Sequence, residues 1–91
     1  MTENKEYPCF TVEITLSGEW VSFDFIDEEN RDLMVKTIKK SIKSNHLLWV
    51  KEERAEGVNI HHIRTDRISK FSTYQRITTV AIKPIDWEII K

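Results

Sequence analysis

The stretch CFTVEITLSGEWVSFDF, residues 9–25, decides how this chain folds. Phe10, Val12, Ile14 and Leu16 alternate with Thr11, Glu13 and Thr15, the period of two that puts every second side chain on one face of a strand. After Ser17-Gly18 the alternation resumes, with Val21, Phe23 and Phe25 set against Trp20, Ser22 and Asp24. A two-residue turn at Ser17-Gly18 pairs Leu16 with Glu19, and therefore Ile14 with Val21, Val12 with Phe23 and Phe10 with Phe25. In that register every paired apolar side chain falls on the same face, and Gly18 supplies the positive φ that such a turn demands.

Asp27 follows the hairpin as a helix N-cap, with Glu28 and Glu29 in the first turn, where the positive end of the helix dipole favours carboxylates. The helix is expected to run to about Ser44. Met34, Val35, Ile38 and Ile42 form one apolar stripe, Lys36, Lys39, Lys40 and Lys43 lie opposite, and Asn45 suits a left-handed cap. Residues 46–53 begin with apolar side chains on both faces and read as an interior strand. A loop at 54–57 reverses the chain, and Val58 and Ile60 open the next strand. After a turn near Arg64 to Arg67, one strand is expected over 68–73 and a last full strand over the β-branched segment 76–82, closed by Lys83-Pro84. The tail IDWEII alternates Ile85, Trp87 and Ile89 and should dock on the body, as either strand or short helix. The expected fold is α+β, a predominantly antiparallel sheet with one covering helix, in the order β-β-α-β-β-β-β. It forms a single domain over 1–91, with residues 1–6 a candidate disordered lead.

At 91 residues the chain closes one core, burying about 60–65% of its unfolded surface. Apolar residues at 40% and charged residues at 32% are ordinary for a globular domain, and no apolar run reaches the roughly 18 residues of a membrane helix. The start MTENKEYPCF lacks a basic segment followed by an apolar one, which predicts a cytoplasmic setting. A single cysteine, Cys9, agrees with a reducing compartment and reads as a small hydrophobe at a strand start. The formal net charge of −1 argues against a dedicated polyanion binder.

The stretch VNIHHIRTDRISKF, 58–71, holds the residues most suggestive of chemistry. Successive strand residues point to opposite faces, so His61 and His62 cannot easily ligate one ion, and no zinc-ligand spacing accompanies them. No metal or other cofactor is expected. The chain has no phosphate-binding glycine loop, and three of the four acids Asp24, Asp27, Glu28 and Glu29 are what a helix start wants, so no enzymatic activity is expected.

The remaining expectation is a small protein-binding or regulatory module of inhibitor or adaptor type. Its partner is a protein, and the tryptophans Trp20 and Trp49, placed away from the helix, predict a homodimer. The expected contact surface combines Trp20 and Trp49 with His61 and Arg64 at its rim, since aromatic and arginine side chains dominate interface hot spots. The alternative is a nucleic-acid-binding regulator using Lys36, Lys39, Lys40 and Lys43 on the helix, with Arg64, Arg67, Lys70 and Arg76 and a stacking Tyr74 in the C-terminal half. Against it, Asp32 stands four residues before Lys36, the spacing of an ordinary solvated helix face. Over about a fifth of the chain, HLLWV at 46–50 followed by VN and isoleucine in VNIHHI at 58–63 resembles the middle of LytTR-type bacterial DNA-binding domains. That resemblance implies DNA contact, but KEERAEG at 51–57 stands where the family has basic and hydroxyl residues.

Overall fold

The structure, a computed structural model, describes residues 5–42, 46–54 and 56–90. β1 (Tyr7–Leu16) and β2 (Glu19–Phe25) form the hairpin in the register read from the alternation, with Phe10 opposite Phe25, Val12 opposite Phe23 and Ile14 opposite Val21. Gly18 turns the chain at φ +75°. Val12, Ile14 and Phe23 are fully buried, so the face selected by the period of two is the core face.

Helix α1 (Glu28–Ser41) starts where the sequence places it, the Asp27 carboxylate accepting the Asn30 backbone N–H at 2.8 Å. Met34 and Ile38 are fully buried beneath it, and the helix packs on β1 and β2. Arg31, on the same helix, is also buried. Its guanidinium lies 5.6 Å from the centre of the Phe10 ring and 2.9 Å from the Asp32 carboxylate, so its charge is both paired and stacked. The helix closes at Ser41 with Ile42 as cap, short of the expected Ser44. The predicted left-handed cap at Asn45 and the side chain of Lys43 lie outside the described residues.

The remaining strands are β3 (Leu47–Arg54), β4 (Gly57–Arg64), β5 (Lys70–Thr78) and β6 (Asp86–Ile90), with a 3-10 turn at Thr65–Arg67. The element order is the expected one, but three details differ. The strands divide into two antiparallel sheets of three, ordered β2-β1-β5 and β4-β3-β6. The two strands expected over 68–73 and 76–82 are a single strand, because the ten-residue β1 offers β5 a continuous partner from Tyr7 to Thr15. The last strand is the tail, which pairs with β3 through Val50–Trp87 and Leu48–Ile89. Leu48, Val50 and Ile63 from the second sheet close the core against Val12, Ile14, Phe23, Phe25, Met34 and Ile38.

Thr65 joins these parts. It is fully buried, and its backbone N–H donates to the His46 carbonyl at 2.9 Å. Its hydroxyl accepts the His46 N–H at 3.1 Å and lies 2.9 Å from the Ser41 carbonyl and 3.0 Å from the His46 carbonyl. A hydroxyl has one proton to give. Because the His46 carbonyl already receives the Thr65 N–H, that proton is best used at Ser41, in the last helical turn where intrahelical donors run out. One side chain thus ties the end of α1, the start of β3 and the end of β4.

Thr65→Val keeps the shape but leaves the partly buried His46 N–H and the buried Ser41 carbonyl short of a partner. A loss of about 1–3 kcal/mol is expected, read in thermal melts as a fall of roughly 5–15 °C. A Thr65→Val protein melting with the wild type would remove the clamp from this account. Gly18→Val forces a β-branched residue to positive φ at a cost of about 1–3 kcal/mol, whereas Gly18→Asn should cost less. Chemical denaturation of both variants measures the difference.

Candidate protein-binding face

Paired residues in an antiparallel sheet share a face, so the β3–β4 register determines what the second sheet shows to solvent. Leu48 pairs with Ile63 and Val50 with His61, and these side chains face the core. Leu47 therefore pairs with Arg64, Trp49 with His62, Lys51 with Ile60 and Glu53 with Val58 on the outer face. From β6 the same face receives Ile90, Glu88 and Asp86.

The apolar residues of β4 are thereby turned outward. Val58 and Ile60 are each 53% exposed, and Ile90 is also exposed, while the half-buried Trp49 sits in the middle of the face. Trp20, 67% exposed on β2, stands across a shallow cleft of about 300 Å³ lined by Val21, Ile60, His61 and His62. The result is an apolar strip along β4, with Trp49 beside it and Trp20 at its margin. Arg64, held 2.8 Å from Asp66, marks one end, and Asp86 and Glu88 make the β6 side acidic.

The expected contact residues are thus brought together in part. Trp49 and Arg64 share the outer face, and Trp20 borders it. His61 does not belong to the rim. It lies on the core side, its ring edge-on to Phe23 with centroids 5.2 Å apart, and its Nε2 is 3.5 Å from the Glu52 carboxylate. His62 takes the rim position, because a neighbour in a strand faces the other way. Nothing in the sequence singles out the buried Glu52 and Thr65: Glu52 stands in the charged end of the strand over 46–53, and Thr65 in the turn near Arg64 to Arg67.

The residues of the nucleic-acid alternative fall into separate groups. Lys36, Lys39 and Lys40 are exposed on α1, while Lys43 lies outside the described residues. Arg67 is exposed in the 3-10 turn. Lys70, Tyr74 and Arg76 share the face of the first sheet opposite Val12 and Ile14, so that sheet stands between them and the helix. Glu13 lies on that face too, and Arg76 is tied to Asp24 at 3.0 Å. The Asp24 carboxylate also accepts the Thr11 hydroxyl at 2.7 Å and raises the Arg76 guanidinium above its usual range.

Next to this pair Cys9 is fully buried, its Sγ 3.5 Å from the Thr11 hydroxyl. Burial pushes the thiol above its ordinary value of 9.0, assisted by the Asp24 charge and opposed by Thr11 and Arg76. A thiol so placed stays protonated at neutral pH and is a poor nucleophile. Among the described residues no three of His, Cys, Asp and Glu are grouped to hold a metal ion, and no helix is long and apolar enough to cross a membrane. No family model, curated protein or solved structure matches the chain.

The folded thiol binds its proton more tightly than the unfolded one. Its contribution to stability is therefore full below pH 9.0 and declines as pH rises above it. Denaturation midpoints of wild type and Cys9→Ala should differ by less at pH 10 than at pH 8; an unchanged difference would place the thiol in a solvated setting. Because His61 and His62 face opposite ways, purified protein should carry no stoichiometric zinc and melt unchanged with chelator. One zinc per chain, lost on either His61→Ala or His62→Ala, contradicts the face assignment.

Proposed function

We propose that this chain is a small non-catalytic protein-binding module that uses the outer face of the second sheet. The observation that carries the reading is the orientation of β4, with Val58 and Ile60 toward solvent beside Trp49 while His61 faces the core. Isolated exposed apolar side chains are common, but contiguous ones rimmed by polar groups mark contact surfaces. Hot spots are enriched in tryptophan and arginine, which Trp20, Trp49 and Arg64 supply. The acidic β6 side favours a partner whose apolar contact surface is flanked by basic groups. An inhibitor or adaptor role fits a module of this size.

A second reading, nucleic-acid binding, is favoured by one observation. Lys70, Tyr74 and Arg76 share a face, as a single-strand platform needs. Glu13 among them and the Asp24–Arg76 pair weaken its positive field.

Affinity capture from the native host with wild-type bait, Ile60→Lys bait and a Lys70→Gln, Tyr74→Gln, Arg76→Gln triple variant separates the two. The protein-binding reading expects a partner retained by the triple variant and lost by Ile60→Lys, with affinity down by at least about tenfold for a change of 1.4 kcal/mol or more. Nucleic acid recovered with the wild type and lost at high salt would replace it with the second reading.

A further inference from the structure

We propose that a second copy of this chain pairs with the free edge of β5, antiparallel and centred on Tyr74, joining two first sheets into one six-stranded sheet. β5 has the longest free edge among the described strands: nine residues, KFSTYQRIT, bonded to β1 on one side, without proline. It is exposed along most of its length, Ile77 at 65%. Such an edge is a template for another strand unless charge, proline or a covering element blunts it; of its two charges, Lys70 stands at the end of the strand and Arg76 is paired with Asp24.

The sequence of β5 matches its own reverse. With Tyr74 opposite Tyr74 of the second copy, Lys70 meets Thr78, Phe71 meets Ile77, Ser72 meets Arg76 and Thr73 meets Gln75. No like charges are opposed. The apolar Phe71 and Ile77 cover each other, and the central tyrosines form an aromatic cross-strand pair. Every pair joins residues of equal parity, so the outer faces of the two copies remain on one side of the joined sheet. The other edges are less suited. Self-pairing of β6 about its middle sets Glu88 against Glu88, and β2 and β4 flank the cleft around Trp20. The homodimer expected from the exposed tryptophans thus forms at a different edge, and the outer face of the second sheet stays open for the partner proposed above.

Sedimentation equilibrium over a concentration series, with Tyr74→Cys and Ser72→Cys tested for oxidative cross-linking, examines the proposal. Only residue 74 lies opposite itself, so Tyr74→Cys should give a disulfide-linked dimer and Ser72→Cys should not. Ser72→Arg opposes Arg76 of the second copy twice across the two-fold axis and should raise the dimer dissociation constant about tenfold. Ile60→Lys should leave the dimer intact. A monomeric wild type, or a dimer insensitive to Ser72→Arg with no Tyr74→Cys cross-link, overturns the proposal. A dimer abolished by Ile60→Lys without that cross-link also overturns it, while keeping the apolar face as an interaction surface.

Discussion

The arrangement of the second sheet depends on one buried hydroxyl. Thr65 holds the last turn of α1 and both backbone groups of His46, so the end of β4 cannot slide relative to the start of β3. Hydrophobicity alone would favour a different register. Pairing Val50 with Ile60 instead of His61 would move Val58 and Ile60 to the core side, a gain of about 1.5–3 kcal/mol for each side chain fully buried. The same slip would expel Ile63, break the His61–Phe23 contact and strand the buried polar groups around Thr65, each at a cost of about 1–3 kcal/mol. The opposing contributions are of similar size, so the clamp decides which set of side chains faces outward.

β1 plays the matching role in the first sheet. As the central strand it fixes β2 through a tight turn and β5 through nine consecutive pairs, extended by Ser69, whose N–H donates to the Thr15 carbonyl at 2.9 Å. Its inner face supplies Val12 and Ile14 to the core. Its outer face carries the buried Cys9 and Thr11 beneath the Asp24–Arg76 pair. The charged pair is partly exposed and contributes little by itself. Its clearer effect is local, because the Asp24 carboxylate accepts the buried Thr11 hydroxyl at 2.7 Å and Cys9 Sγ lies 3.5 Å from that hydroxyl.

The hairpin, the start of α1 and its apolar stripe were legible in the sequence because they are local: alternation, a turn glycine and a capping aspartate lie within a few residues of the groups they organise. The continuity of β5 was not legible. Ser72, Thr73, Tyr74 and Gln75 contain turn-compatible residues, and only the length of β1, some sixty positions earlier, keeps them extended. Alternation alone puts the two histidines on opposite faces, but which face is inward depends on Thr65, whose partners lie 24 and 19 residues away. The candidate contact surface was therefore half readable. Its tryptophans stand out by type, while Val58 and Ile60 look like core residues until the register is known.

A protein that turns two β-branched residues outward beside a tryptophan gives up burial that an equally simple register would have provided. That cost is reasonable if the face serves a contact, and the whole functional account rests on it. Cross-strand nuclear Overhauser effects between β3 and β4 in the isolated protein test it most directly. In the clamped register, contacts are expected between Trp49 and His62, and between Lys51 and Ile60. Contacts between Val50 and Ile60, with Leu48 opposite His62, would show the slipped register and contradict it, since Val58 and Ile60 would then be core residues and the apolar strip along β4 that is proposed to bind a partner would be gone.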